Sequence, residues 1–127
     1  MGLDIYLSGR LVYARENPDN NIDGYPVEEV RVKLGYWRKD WTLHNAMCAL
    51  LENDCTEEMS LSARDLRRLL GMIQAGEIKN EDGSIYTGEG CADYGMANTL
   101  DILAAAIEWI EKTTDDEWRD ATYRGSW

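Results

Sequence analysis

The sequence predicts an α+β fold in which three helices pack on a small, mostly antiparallel sheet. Leu3, Ile5 and Leu7 alternate with Asp4, Tyr6 and Ser8, and Val30, Val32, Leu34 and Tyr36 alternate with Arg31, Lys33 and Gly35. That period of two is the signature of half-buried strands. Three later stretches space their apolar residues at helical intervals. The resulting order, β-β-α-α-(β)-α-β, sets helices against strands that meet mostly antiparallel. At 127 residues, 44% of them hydrophobic, the chain fits a single domain over 1–127.

The first strand continues toward Tyr13, with Gly9 a bulge or short turn inside it. Glu16–Pro26 (ENPDNNIDGYP) gathers turn-forming residues and reads as loop. A helix is expected from about Lys39 to Asn53, where Trp41, Leu43, His44, Met47, Cys48 and Leu51 share one broad arc. Ser62, with Asp65 three residues on, is an acidic variant of the capping box. Behind it Leu66, Leu69, Leu70 and Ile73 stripe one face, and Gly76 stops the helix. Ile78 and Ile85 flank an Asp82-Gly83 turn, a weak hairpin. The third helix is expected from about Tyr94 to Lys112, apolar at Met96, Leu100, Leu103, Ile107 and Ile110. A second apolar line, Ile102, Ala105, Ala106 and Trp109, implies packing on two sides. Trp118, Asp120, Thr122 and Arg124 then alternate with Arg119, Ala121 and Tyr123, as a strand would.

Charge is unevenly placed along the chain. The net charge is −11, with seven acidic and six basic residues in 1–51 but 17 and seven in 52–127. Direct nucleic-acid binding needs a basic footprint and no stretch supplies one, so no direct nucleic-acid partner is expected, and anionic membrane surfaces are disfavoured likewise. A basic protein surface is the partner such charge attracts. The densest run is Glu108, Glu111, Asp115, Asp116, Glu117 and Asp120, set against a helix C-terminus whose macrodipole it opposes. Ordinary solvation of a helix end is the competing explanation.

Catalytic and metal-binding patterns are few. Cys48, Cys55 and Cys91 form no CxxC, and His44 is the single histidine, so neither a zinc site nor a disulfide framework is expected. Free thiols point to the cytoplasm. The opening MGLDIYLSGRL is no signal peptide, and no apolar run would span a membrane. Asp19, Asn21, Asp23 and Gly24 match the first half of a calcium loop, but Val30 stands where a bidentate Glu is required; a plain turn is expected. Gly88, Gly90 and Gly95 make no phosphate cradle, since Glu89 and Asp93 would repel the anion. His44 and Cys48, one helical turn apart, are the components of a nucleophile–base pair. Within an apolar arc the expectation is a buried histidine bonded to a backbone carbonyl. No catalytic residue, metal or cofactor is therefore assigned. Tyr36-Trp37-Arg38-Lys39 sets two aromatics beside two cations, suited to an anionic or planar ligand or to sealing the core edge.

MGLDIYL, GYWRKDWTLHNA, NDCTEEMSLSARDLRRLL and the final Tyr123-Arg124-Gly125-Ser126-Trp127 together resemble a family of small phage and bacterial proteins. Those proteins open MGLD-x-YL, carry a YWRK-(x)3-[IL]-H segment and end in an aromatic followed by SW. The likeness spans nearly the whole chain in the same order. The resemblance implies an accessory role in the host cell cytoplasm, and carries over to Asp4, Tyr36, Trp37, Arg38, Lys39, His44, Asp54, Cys55 and Trp127. Asn45-Ala46-Met47 departs from the aromatic-rich continuation of the pattern.

Two functions from different classes remain. The first is a non-enzymatic accessory protein that binds a host protein, for example a nucleic-acid-handling or defence complex such as CRISPR, through its acidic surface. The alternative is a small-ligand or nucleotide-binding module built on Tyr36, Trp37, Arg38, Lys39 and His44, with Asp54 and Cys55.

Overall fold

The structure, a computed structural model, describes residues 2–16, 19–88 and 98–127. In chain order the elements are β1 (Asp4–Tyr13), β2 (Asn21–Ile22), β3 (Tyr25–Pro26), β4 (Glu29–Arg38), α1 (Trp41–Leu51), β5 (Met59–Leu61), α2 (Ala63–Gln74), α3 (Thr99–Ile110) and β6 (Glu117–Ser126). The α+β class is therefore as the sequence predicts. Four strands form one sheet in the order β4-β1-β6-β5, every pairing antiparallel. β1 is paired along its length on both sides, to β4 and to β6.

Pleating divides each long strand between two faces. Leu3, Ile5, Leu7 and Leu11, with Trp37 of β4 and Ala121 and Tyr123 of β6, are all buried on the inner face. The helices lie over this side. Leu66, Leu69 and Ile73 of α2 join Ile102, Leu103, Ala106, Ile107 and Ile110 of α3 in the same buried cluster. Each helix begins at a side-chain cap that takes up an otherwise orphaned N–H. Asp40 accepts from the Leu43 amide at 3.0 Å, and Asn98 from that of Asp101 at 3.1 Å. Ser62 and Asp65 form the reciprocal capping box read from the sequence.

Several local expectations change. Gly9 lies in regular strand, and the bulge falls one strand over: the β1–β4 register shifts between Leu7 and Ser8, leaving Leu34 as the extra residue. The glycine is needed for space, because a Cβ at position 9 would meet the Trp109 ring at 2.8 Å and Val32 Cγ2 at 2.9 Å. The first helix starts later than Lys39. β4 runs on to Arg38, Lys39 turns left-handed (φ 57°) and donates its N–H to the Leu3 carbonyl at 2.7 Å, and Asp40 then caps α1.

The Glu16–Pro26 loop contains the small β2–β3 hairpin, turned by Asp23 (φ 53°) and Gly24 (φ 86°). Two positive φ angles are the type I′ requirement. The Asn21 side chain accepts from the Gly24 amide there, inside the plain turn. β5 was not expected. The Asp82-Gly83 hairpin reduces to a single bridge, Lys79 to Ile85. The last helix ends at Ile110; its expected start at Tyr94 and Met96 lies outside the described residues, as do Cys91, Gly90 and Gly95.

Two glycines separate crowding from backbone entropy. Gly9→Ala is expected to lower unfolding free energy by about 1–3 kcal/mol, since the added methyl drives into Trp109. Gly71→Ala, in α2 with nothing within 4 Å of its new Cβ, is expected to raise it by roughly 0.5–1 kcal/mol. Urea denaturation of both variants measures the two signs.

Candidate functional site

α1 carries His44 and Cys48 on the side that meets the end of β6. His44 is 3% exposed. Its ring lies against Gly125, where any Cβ would stand 2.5 Å from His44 Cε1, and stacks on Tyr123 at 6.0 Å between centroids. His44 Nδ1 is 2.9 Å from the Tyr123 hydroxyl, and Nε2 is 3.4 Å from Cys48 Sγ. Cys48 Sγ in turn lies 3.5 Å from the Asp54 carbonyl. One proton assignment satisfies every member: Tyr123 O–H donates to Nδ1, Nε2–H points at Cys48 Sγ, and the Cys48 S–H donates to the carbonyl. The expected backbone carbonyl is thus present one link further along, with a thiol between it and the imidazole.

The turn after α1 shapes this corner. Glu52 and Cys55 both hold left-handed conformations (φ 52° and 57°). Asn53 and Asp54 side chains accept the amides of Cys55 and Thr56, at 2.9 and 3.2 Å. The Cys55 carbonyl then receives the Gly125 amide at 2.9 Å, fastening the turn to β6. Trp41 and Trp127, both part-exposed, stand edge-on over the imidazole at 6.0 and 5.0 Å and over each other at 5.8 Å.

The electrostatics run against nucleophilic chemistry. Burial lowers the His44 pKa from its ordinary value, the Asp54 charge opposing. Burial raises that of Cys48 and, with the neighbouring Cys48 thiol, pushes Cys55 up to about 12. A thiolate–imidazolium pair needs the opposite shifts. The cluster is a neutral hydrogen-bonded chain that fixes α1 to β6.

The Tyr36–Lys39 segment does not form one site with it. Strand alternation sends Tyr36 and Arg38 to the outer face, where Tyr36 O–H donates to Asp4 at 2.5 Å and Arg38 lies 3.8 Å from the same carboxylate. That bond pushes the Tyr36 phenol up to about 12. Trp37 turns inward and is 1% exposed, donating to Thr99 Oγ1 at 2.9 Å. Lys39, with Arg38, borders a separate open cleft of ≈ 510 Å³ between the start of α1 and residues 80–86. Beneath it Asp40 accepts the Tyr86 hydroxyl at 2.5 Å, a buried contact that sequence reasoning missed by placing Asp40 inside the helix. A carboxylate just before an apolar-periodic run is the cap signal that would have found it.

The acidic run also divides. Glu108, Asp115 and Asp116 are exposed and make no ion pair among the described residues. Glu111 pairs with Arg67, and Glu117 with Arg119 at 2.8 Å. Asp120 leaves the run: it is 5% exposed on the outer face of the sheet and binds Arg10 through two bonds of 3.1 and 2.9 Å. On the third helix Ile102 is buried and Trp109 packs over Gly9 with Arg119 above its ring at 4.7 Å. Among the described residues no three His, Cys, Asp or Glu are grouped to hold a metal ion, and no helix is long and apolar enough to cross a membrane.

Two measurements follow from the buried corner. Because the folded His44 pKa lies below its unfolded value, the unfolded chain binds this proton first; the contribution is complete above the unfolded pKa of about 6.5 and is lost as pH falls toward the folded value. Urea midpoints at pH 7.5 and 5.5 are expected to fall with acidification in the parent and to fall less in His44→Gln. Peptide mapping after brief iodoacetamide treatment at pH 7 is expected to find Cys48 largely unmodified, with labelling rising only at higher pH.

No protein-family model, curated protein or solved structure matches this chain.

Proposed function

We propose that this protein is a non-enzymatic accessory protein that binds a host protein with a basic surface. Segregation of charge by the fold is the observation that carries this reading. The three long strands send Arg10, Arg31, Lys33, Arg38 and Arg124 to the outer face, against Asp4, Glu29 and Asp120. The rest of the chain is left with eight basic and 21 acidic residues. Its exposed carboxylates include Glu108, Asp115 and Asp116, at the end of α3 and in the turn before β6. An uncompensated field of one sign steers association with a surface of the other and discriminates against partners of like charge.

The resemblance to small phage and bacterial proteins supports an accessory role in the host cytoplasm, and a nucleic-acid-handling or defence complex is the kind of host assembly that exposes basic surface. The neutral His44–Cys48 chain supports a binding role over a catalytic one. The ligand-module alternative draws on the cleft beside Arg38 and Lys39, but Glu81 and Asp82 also line that cleft, and His44, Asp54 and Cys55 lie outside it.

The test is recovery of a partner on immobilised protein from host lysate at low ionic strength. Glu108→Gln/Asp115→Asn/Asp116→Asn is expected to lose most of the recovered partner, as is the parent protein at 0.5 M salt, where screening is nearly complete. Undiminished recovery by the neutralised variant would overturn the reading.

A further inference from the structure

The outer face of the sheet is an open antiparallel surface in which aromatic and cationic side chains interleave. Register places them in rows across β4, β1 and β6. Tyr36, Tyr6 and Arg124 share one row; Lys33, Ser8 and Thr122 the next; Arg31, Arg10 and Asp120 the third; Glu29, Val12 and Trp118 the last. Cations sit over the rings: Arg124 lies 5.4 Å from the Tyr6 centroid, Lys33 5.0 Å from Tyr36 and Arg10 5.3 Å from Trp118. Tyr6 and Trp118 remain 38% and 51% exposed, so their rings are also open to solvent. Beside Tyr6 is a concavity of ≈ 260 Å³ lined by Tyr6, Ser8, Arg31, Glu58, Thr122 and Arg124. Two guanidinium groups, three hydroxyls and the Glu58 carboxylate line it. Arg31 is held by Glu58, whereas Arg124 has no carboxylate partner among the described residues.

We propose that this face binds single-stranded nucleic acid, with phosphates on Arg31, Arg124 and Lys33 and bases against Tyr6, Tyr36 and Trp118. Charge complementarity is local: with Glu58 counted, this face carries five cations against four carboxylates, and pairing of Arg10 with Asp120, Arg31 with Glu58 and Arg38 with Asp4 leaves Arg124 as the guanidinium without a carboxylate partner among the described residues. The concavity falls below the roughly 300–1,000 Å³ that small-molecule pockets occupy, so an extended polyanion suits the surface better than a buried ligand. Three rings in the same grid favour bases over an acidic peptide, which has no aromatic faces to stack. Repulsion from the acidic remainder of the protein is damped over a Debye length of about 8 Å at physiological salt. A scan along the sequence finds no basic footprint because these side chains alternate with buried ones on three strands. The inference stands apart from the acidic-surface reading, which uses other residues.

Fluorescence anisotropy with a 5′-labelled 12-mer oligo(dT) tests it. Binding is expected in the range of about 10⁻⁶–10⁻⁴ M that sequence-independent binding occupies. Arg124→Gln and Arg31→Gln are each expected to weaken it and to reduce the slope of log affinity against log salt by about 0.7. Tyr6→Leu is expected to weaken it about tenfold with the slope unchanged, and Glu58→Gln to strengthen it. Thermal melts confirm that each variant is folded. The proposal is overturned if oligo(dT) causes no anisotropy change at millimolar protein, if folded Arg124→Gln and Tyr6→Leu both bind like the parent, or if polyglutamate competes as well as unlabelled oligo(dT).

Discussion

Alternation of side chains across three paired ten-residue strands constrains nearly everything else in this protein. β1 lies between β4 and β6 with almost unbroken register, so each residue of these strands is committed to one face. The inner positions, Ile5, Leu7, Trp37, Ala121 and Tyr123, provide the floor on which the helices rest. The outer positions collect a third or more of the chain's basic residues beside Tyr6, Tyr36 and Trp118. A slip of one residue in either ladder would exchange these sets and bury arginines under the helices. The Arg10–Asp120 pair helps fix that register, because its two hydrogen bonds form only when positions 10 and 120 stand opposite.

The same alternation decides the fate of the most conspicuous sequence features. Tyr36-Trp37-Arg38-Lys39 reads as one cluster along the chain, yet β4 sends its members to different places: Tyr36 and Arg38 outward, Trp37 into the core, Lys39 into a left-handed turn. Glu117 to Asp120 reads as a continuation of the acidic run, but Asp120 is withdrawn into an ion pair across the sheet. Contiguity in sequence is a poor guide to contiguity in a strand, where neighbours point apart.

The fold was legible where local rules and burial agree. The alternation of β1, β4 and β6, the capping box at Ser62 and Asp65 and the apolar stripe of α2 all follow from side-chain periodicity and cap chemistry. β5 was not legible: three residues carry no period, and Met59–Leu61 is a strand because β6 offers an edge. The reason for Gly9 is tertiary: the ring of Trp109, 100 residues away, leaves no room for a Cβ there. The site was legible in part. His44 and Cys48 meet as their one-turn spacing suggested, whereas Cys55 and Trp127 reach them through the turn after α1 and the end of β6, which no local pattern reports. Tyr123, which completes the hydrogen-bonded chain, carries no signal of its own beyond falling on an inward position of β6.

The pairing of β1 with β6 has a further consequence, for synthesis. β1 gains its second neighbour only from residues 117–126, more than 100 positions downstream. During translation the nascent β1–β4 hairpin must carry Ile5, Leu7 and Trp37 uncovered while the helices emerge without a complete surface to settle on. Loop-closure entropy on that scale slows folding relative to a protein of local contacts. Until residues 117–126 thread between β1 and β5, the newly made chain therefore leaves the inner face of its first strands exposed.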